Sequence, residues 1–407
     1  MNIKTISLVL VVGAVVVGAY FLGTKQAGQP VPVATVAQQQ PATSPSAMPP
    51  APVAGPSTPV PQGHPSLDRF THFQVGNSNV KAMLADGDTV WIGTSGGVVR
   101  YNLGNDEHKV YNVGTGNLLA NGIFHLSKLG NNLLVGTYGG GMSTYNPQTD
   151  QWKNYNIPQG LADQFVYDAL VTPNGDVWLA TWSGANRIRG GNLDDASKWD
   201  TFTVENTKGG LPNDWVYGLE NGKDGEVWIA TEGGLARFKD GKWQHWNHEA
   251  GLGEAYEKVK NDINFTNDPG KASKHHATQK TEQGLENVNI AYNPNYIISL
   301  KVDKKGIVWA GTWGGGLARF DGKRWQNYTV ADGLPANHIF MLYLDKGDNL
   351  WIGTSSGLAR FKQDGKGFEV KTARDGLFSD NVFSMAEASN GTVWVGSFGG
   401  VARLAGL

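Results

Sequence analysis

Cysteine is absent from the 407 residues of this chain. Its absence excludes disulfide bonds, thiolate catalysis, cysteine-based zinc sites and a lipid anchor attached to cysteine. Charged residues are also scarce, at 17%, and the formal net charge is −2. Because a protein that coats nucleic acid needs a strongly basic face, the sequence predicts no nucleic acid partner.

Charged and aromatic residues are missing from one long segment near the N-terminus, residues 26–67. More than half of the protein's 18 prolines lie in it. A segment of this composition cannot bury a core. It therefore predicts a disordered linker rich in Pro, Ala and Gln, which would hold a folded domain away from what precedes it.

The segment before the linker, residues 1–25, is predicted to anchor the chain in a membrane. No charge occurs between Lys4 and Lys25, and a helix of about 20 residues spans about 30 Å, the hydrocarbon thickness of a bilayer. A cleaved signal peptide is the alternative. Both interpretations place the remainder of the chain in the periplasm or outside the cell, and the first makes the protein a single-pass membrane protein.

Glycine and tryptophan are abundant, with 55 and 14 residues, and a Trp-Ile-Gly-Thr-like motif recurs from residue 68 onward. Its seven copies begin at Trp91, Leu134, Trp178, Trp228, Trp309, Trp351 and Trp394. Apolar runs and turn signals such as Asp224-Gly225 surround each copy and predict four short antiparallel strands, a to d, per repeat. Repeats of this kind are typical of β-propeller blades. We therefore predict an all-β, seven-bladed β-propeller over residues 68–407.

The two ends of the repeat region predict how the ring closes. The chain ends just after strand c of the seventh repeat, and Arg69 to Val75 has the pattern of an unpaired strand d. We predict that this N-terminal strand pairs with Val401 to Leu404 and completes the last blade, which leaves no open edge. The repeated Trp is interpreted as core packing. The repeated Arg of strand c is interpreted as structural at Arg100, Arg187, Arg237, Arg319, Arg360 and Arg403.

One step between motifs, from Trp228 to Trp309, is about twice as long as the others. Residues 251–294 lack the motif and are rich in Lys, Asn, Glu and His, which favours an insertion over an eighth blade. Since it connects strand d to the next strand a, the insertion should rise from the same rim as the other d–a linkers. A long polar connection is commonly functional or disordered. The adjacent His275 and His276 are interpreted as a satisfied or exposed pair and not as metal ligands.

The motif, the following Gly-Leu-x-Arg-Phe (residues 234–238, 316–320 and 357–361) and the Gly-Leu-Pro linker resemble the two-component regulator propeller repeats. That family forms periplasmic ligand-binding sensor propellers, usually followed by a transmembrane helix and a histidine kinase. The resemblance covers residues 68–407 and implies ligand recognition. No kinase, receiver or DNA-binding helix pair is recognised here, so a role in phosphorylation is less strongly implied. A more distant similarity is to streptogramin lyase propellers, with no matching set of site residues.

Loop geometry places the d–a linkers and the b–c turns at one end of the ring, which we call the rim. Its predicted residues combine amide and carboxylate groups with aromatic rings, a combination that suits sugars or peptide segments. The candidate ligand-binding residues are Asn121, Tyr138, Gln164, Trp182, Asp214, Trp215, Trp313, Asn337 and Asp380. The alternative is structural, because Asn and Asp before a strand often bond their own backbone and aromatic rings can pack on neighbours.

No catalytic constellation, metal site or cofactor motif is recognised. His125 and Asp168 occupy the same register of strand a in adjacent blades and could meet at the central channel, as an ion pair or as an acid–base couple. The leading function is an extracytoplasmic sensor or recognition module acting with a separate membrane or secreted protein. A protein-interaction scaffold and a lyase or hydrolase are the alternatives.

Overall fold

The protein is described by a computed structural model that covers residues 70–73, 79–362 and 364–404. The predicted anchor, residues 1–25, and the predicted linker, residues 26–67, lie outside the described residues. Within those ranges, no helix is both long enough and apolar enough to cross a bilayer.

The described residues form seven antiparallel sheets of four strands, each one blade of a β-propeller. The first strand is β1 (Phe70–Phe73). Blade 1 contains β2 (Val80–Asp86), β3 (Thr89–Thr94), β4 (Gly97–Asn102) and β5 (His108–Tyr111). Blade 2 contains β6 (Ile123–Leu129), β7 (Asn132–Thr137), β8 (Met142–Asn146) and β9 (Gln151–Tyr155). Blade 3 contains β10 (Val166–Val171), β11 (Val177–Thr181), β12 (Gly184–Ile188) and β13 (Trp199–Phe202).

The remaining blades repeat the same order, from the inner strand a to the outer strand d. Blade 4 contains β14 (Val216–Asn221), β15 (Val227–Thr231), β16 (Gly234–Lys239) and β17 (Lys242–Trp246). Blade 5 contains β18 (Asn293–Val302), β19 (Val308–Trp313), β20 (Leu317–Phe320) and β21 (Trp325–Tyr328). Blade 6 contains β22 (Ile339–Leu344), β23 (Leu350–Thr354), β24 (Gly357–Phe361) and β25 (Phe368–Lys371). Blade 7 contains β26 (Val382–Glu387), β27 (Val393–Ser397) and β28 (Gly400–Leu404).

Blade 7 is completed by the N-terminal strand. Strand β1 pairs antiparallel with β28, with Phe70 opposite Leu404 and Phe73 opposite Val401. The sheet order is therefore β1-β28-β27-β26. The predicted closure of the ring is confirmed, and it covers the edge that strand c of the last blade would otherwise expose.

The recurrent motif serves three packing needs of a blade. Its Trp is buried between blades, with Trp178 and Trp394 at or below 1% exposure. Its Gly allows the next blade to approach, since an added Cβ on Gly353 would lie 2.6 Å from the carbonyl oxygen of Val382. Its Thr holds the b–c turn, as where the Thr354 hydroxyl donates to the Gly357 carbonyl at 2.9 Å. The core interpretation of the repeated Trp is confirmed.

The repeated arginines lie over the motif tryptophans. The guanidinium carbon is 5.4–6.0 Å from the centre of the indole ring in all six pairs: Arg100–Trp91, Arg187–Trp178, Arg237–Trp228, Arg319–Trp309, Arg360–Trp351 and Arg403–Trp394. A cation over an indole face is stabilising, so each charge has its own local partner. The structural interpretation of these arginines is confirmed.

The long step between blades 4 and 5 is an insertion and not an eighth blade. It contains three short helices, α1 (Tyr256–Val259), α2 (Pro269–Ala272) and α3 (Lys274–Glu282). Its interior is held by the buried ammonium of Lys280, which contacts the Asp268 carboxylate at 2.9 Å and donates to the Val288 carbonyl at 2.6 Å. Strand β18 begins at Asn293, so the inserted segment ends just before it.

Candidate ligand-binding face

The polar residues near the start of strand a mainly hold their own linkers. In five blades the side-chain oxygen of this residue accepts a hydrogen bond from a backbone N–H at the start of the d–a linker. The pairs are Asn121–Val113 (2.8 Å), Asp214–Val204 (2.7 Å), Asn295–His248 (2.5 Å), Asn337–Val330 (3.0 Å) and Asp380–Ala373 (2.6 Å). Formation of the turn thus explains why a polar residue recurs at this position of the repeat, which is the structural alternative stated above.

Aromatic rings form a continuous stack along the rim of blades 2 to 4. The ring of Phe165 stacks on Trp182 at 4.1 Å, and Trp182 stacks on Trp215 at 4.4 Å and 5°. The imidazole of His275, from helix α3, covers the other face of Trp215 at 3.5 Å and 9°. Tyr138 meets the edge of Trp182 at 5.7 Å. Both faces of Trp182 and of Trp215 are therefore occupied within the protein.

Trp313, a predicted ligand contact, is not at an exposed turn. It lies at the end of strand β19 and is only 5% exposed. The ring of Phe265, from the insertion, contacts it edge-on at 5.6 Å, and Tyr296 stacks on it at 5.4 Å. The ring of Trp313 is therefore packed on its neighbours, the structural alternative given for the rim aromatics, because the insertion covers it. Asn337 is also buried, at 1% exposure.

The insertion is fixed to the rim through one buried carboxylate. Glu232, 1% exposed, contacts His275 Nε2 at 3.1 Å and His276 Nδ1 at 2.7 Å. Burial acts to raise the pKa of Glu232, but hydrogen bonds from the two histidines hold that pKa below its usual value. Asn213 adds a hydrogen bond to Gln279 of helix α3 at 2.8 Å. The adjacent histidines are thus a satisfied pair.

A pocket of about 600 Å³ opens between the blade 3 to blade 4 linker and helix α3. We call it the rim pocket, and its wall is formed by Trp182, Ser183, Thr203, Val204, Pro212, Asn213, Asp214, Trp215, His275, Gln279 and Glu282. Three candidates from the sequence, Trp182, Asp214 and Trp215, meet there. The wall contains two carboxylates and no lysine or arginine.

The other candidates lie elsewhere on the rim. Tyr138 packs behind the aromatic stack, Gln164 is an exposed linker residue, and Asp380 belongs to blade 7. The pocket residues from helix α3, Gln279 and Glu282, were missed by sequence reasoning. One indication of these two residues was present in the sequence. The insertion connects strand d to strand a, so its residues had to lie near the rim.

The central channel contains the predicted pair of His125 and Asp168. His125 Nδ1 lies 2.6 Å from Asp168 Oδ1, which confirms that these equivalent positions meet across blades 2 and 3. The other Asp168 oxygen accepts the Leu219 backbone N–H at 2.7 Å. This arrangement is a linkage among three inner strands. Over the described ranges, no group of three His, Cys, Asp or Glu residues is placed to hold a metal ion.

The fold and the repeat together define a seven-bladed propeller built from repeats that share one motif. The profile of the two-component regulator propeller family matches four segments of the chain, residues 210–233, 291–314, 333–356 and 376–399. Each segment runs from a d–a linker to a b–c turn, in blades 4 to 7. The resemblance to two-component regulator propeller repeats is therefore confirmed. No curated protein matches the chain.

Solved structures with the same fold include two extracellular domains from B. thetaiotaomicron. One, from the putative hybrid two-component system BT3049, has 22% identity and a TM-score of 0.61 over 83% of this chain and 41% of its own. The other, from the putative one-component system BT4673, has 19% identity and a TM-score of 0.59 over 82% and 40%. This chain thus spans about two fifths of those structures. Virginiamycin B lyase from Staphylococcus aureus is similar over 82% of this chain and 99% of its own, with 13% identity and a TM-score of 0.55.

Proposed function

We propose that the propeller is an extracytoplasmic recognition module that binds its ligand in the rim pocket. The observation that carries this proposal is the composition of the pocket wall, in which indole rings, amides and two carboxylates converge and no lysine or arginine is present. Concave sites with aromatic walls and a few directed polar groups are the usual form of a ligand site.

The covered indole faces favour a peptide over a sugar. A sugar would stack on a free aromatic face, but Phe165 and His275 occupy the outer faces of the Trp182–Trp215 pair. The carboxylates of Asp214 and Glu282 have no lysine or arginine beside them in the pocket wall. They favour a lysine or arginine side chain, because ionic hydrogen bonds are the stronger ones. We therefore propose a peptide segment with a basic residue, and a sugar as the second candidate.

The remaining features of the proposal concern location and partner. The sequence supports an N-terminal anchor in residues 1–25, with residues 26–67 holding the propeller in the periplasm or outside the cell. The similar structures from B. thetaiotaomicron are extracellular domains, which agrees with this location. A separate membrane or secreted protein would carry the signal or the bound peptide onward.

A scaffold function is the second candidate, and the packed insertion favours it. Helix α3 adds a broad surface to the rim, and the contacts of buried Glu232 with His275 and His276 fix that helix in place. In that case the rim would bind a folded protein and not a short segment.

An array experiment tests the proposal. The full chain would be applied to peptide and glycan arrays, next to the double variant Asp214→Asn/Glu282→Gln. Asparagine at position 214 keeps the oxygen that accepts the Val204 N–H, so the turn is retained. Asp380→Asn is the matched control, since Asp380 has the same turn role in blade 7 and lies outside the pocket.

We expect capture of peptides that contain lysine or arginine, at least about tenfold weaker capture by the double variant, and no change for the control. Capture of glycans alone would support the second ligand class. Equal capture of peptides by the native protein and the double variant would contradict the rim pocket as the site.

A further inference from the structure

The inner strand of every blade carries a β-bulge. It lies at the second residue of the strand in six blades and at Ile298, the sixth residue of β18, in blade 5, where the pairing also shifts between Asn293 and Ile297. The pairing of strand a with strand b skips one residue in all seven blades. The skipped residues are Lys81, Phe124, Tyr167, Tyr217, Ile298, Phe340 and Phe383. A bulge redirects the side chain of the extra residue, so the sevenfold repeat places one such side chain per blade around the mouth of the central channel. We call this set the bulge ring.

The bulge ring contains five aromatic residues, one isoleucine and one cation. Phe124 packs on Tyr167 at 4.4 Å, and Tyr167 packs on Tyr217 at 4.9 Å. On the other side, Phe340 stacks on Phe383 at 5.3 Å. All members except Tyr217 remain partly exposed to solvent, so the ring surrounds accessible space.

Lys81 is the exception in this wall. Its ammonium lies 4.5 Å from the centre of the Phe124 ring. Throughout the described ranges it has neither a hydrogen-bond acceptor nor a carboxylate partner, whereas Lys301, which also lies on an inner strand, is paired with Glu220. Burial without a counter-ion lowers the pKa of Lys81 from 10.5 to about 8. An apolar residue at position 81 would match the other six members of the bulge ring better than a lysine does.

The layer below the bulge ring offers a further polar atom. His125 follows Phe124 in strand β6, and its Nδ1 is engaged by Asp168 at 2.6 Å. Its Nε2 is buried and has no hydrogen-bond partner among the described residues. A buried polar atom without a partner is uncommon and indicates a place for an absent one.

We propose that the mouth of the channel is a second binding site, which takes a small carboxylate with a flat apolar body, the carboxylate against the Lys81 ammonium and the body against the rings of Phe124 and Phe383. One lysine matches one negative charge. A phosphate or sulfate would leave strongly hydrated oxygens against apolar walls, which is unfavourable. Flat bodies suit the site because aromatic walls pack on them edge-on or face-on.

The insertion leaves this part of the ring uncovered. Its residue Phe265 contacts Phe340 at 5.4 Å and packs near Tyr217 and Ile298. Its described aromatic contacts do not include Phe124 or Phe383. The channel site therefore lies beside the covered half of the rim and does not depend on the rim pocket, so either site can be tested without the other.

Titration of the full chain with benzoate, followed by ligand-observed NMR and calorimetry, tests the proposal. Benzamide serves as the neutral analogue, and Lys81→Met is compared with Lys128→Met, in which a lysine paired with Asp86 is removed. We expect saturable benzoate binding, at least about tenfold weaker binding of benzamide, a similar loss in Lys81→Met, and little change in Lys128→Met.

A second measurement uses the native protein alone. An amine reagent would be applied near pH 8, and modification of Lys81 would be followed by mass spectrometry with and without benzoate. We expect benzoate, but not benzamide, to protect Lys81. Equal binding of the two compounds, benzoate binding retained in a folded Lys81→Met variant, or modification of Lys81 unaffected by saturating benzoate would each overturn the proposal.

Discussion

His338 gives the stability of the insertion a defined dependence on pH. Its side chain is 1% exposed and lies between Phe265 and Trp313, and its Nε2 contacts the Ala291 carbonyl at 2.7 Å. Burial lowers the pKa of His338 from 6.5 to about 4, although the Ala291 carbonyl and Asp268 act in the other direction. The folded protein therefore holds this histidine neutral, with its N–H donated to the end of the insertion.

The sign and size of the effect follow from the two pKa values. Between pH 6.5 and 4 the unfolded chain binds the proton and the folded chain does not, so stability falls as the pH falls through this window. The difference between 6.5 and about 4 corresponds to about 3 kcal/mol of unfolding free energy. Glutamine at position 338 keeps an N–H donor of similar reach and cannot take up the proton.

Urea unfolding at a series of pH values, followed by tryptophan fluorescence, measures this dependence of stability on pH. The free energy of unfolding of the native protein should fall by about 3 kcal/mol more than that of His338→Gln between pH 7 and pH 4. Carboxylates titrate in both proteins, so they cancel in the difference. If the free energy of unfolding depended on pH in the same way in both proteins, His338 would not be a buried neutral residue that stabilises the insertion.

Three further predictions concern packing, closure and charge. Trp313→Ala should cost about 3–5 kcal/mol in urea unfolding, as for a buried aromatic residue, and a loss below about 1 kcal/mol would mean that the ring is not packed. A chain that begins at residue 78 lacks β1 and should self-associate in light scattering, whereas a chain that begins at residue 67 should stay monomeric, and equal behaviour of the two would count against closure. Lys81→Met should raise stability by about 1–3 kcal/mol at pH 7, because folding lowers the pKa of Lys81 from 10.5 to about 8. That gain should disappear as the pH rises from 8 to above 10.5, and a gain independent of pH would show that the charge is not the cause.

The fold could be predicted closely from the sequence because its signals are local and repeated. The motif from Trp91 to Trp394 fixes strand b in each blade, and the unmatched strand near Phe70 predicts the closure with Leu404. The contact of His125 with Asp168 was also predictable, since two equivalent positions in adjacent blades must be neighbours on a closed ring.

The binding face was less predictable because it depends on contacts between distant segments. Nothing in the sequence near Trp313 shows that Phe265, from an insertion without periodicity, will cover it. The polar residues near the start of strand a had two physical explanations, and only the folded structure shows that Asp380 and its equivalents accept hydrogen bonds from linker N–H groups. Residue type alone does not separate a turn-forming oxygen from a ligand-binding one.

Recognition of a basic side chain by the rim pocket is tested most directly by a double-mutant cycle. An arginine peptide selected from the array and its citrulline analogue would be titrated by calorimetry into the native protein and into Asp214→Asn/Glu282→Gln. If the pocket carboxylates bind the arginine, citrulline should weaken binding at least about tenfold in the native protein and by less than about twofold in the double variant. An equal loss in both proteins would show that the arginine is bound elsewhere and would contradict the rim pocket as the recognition site.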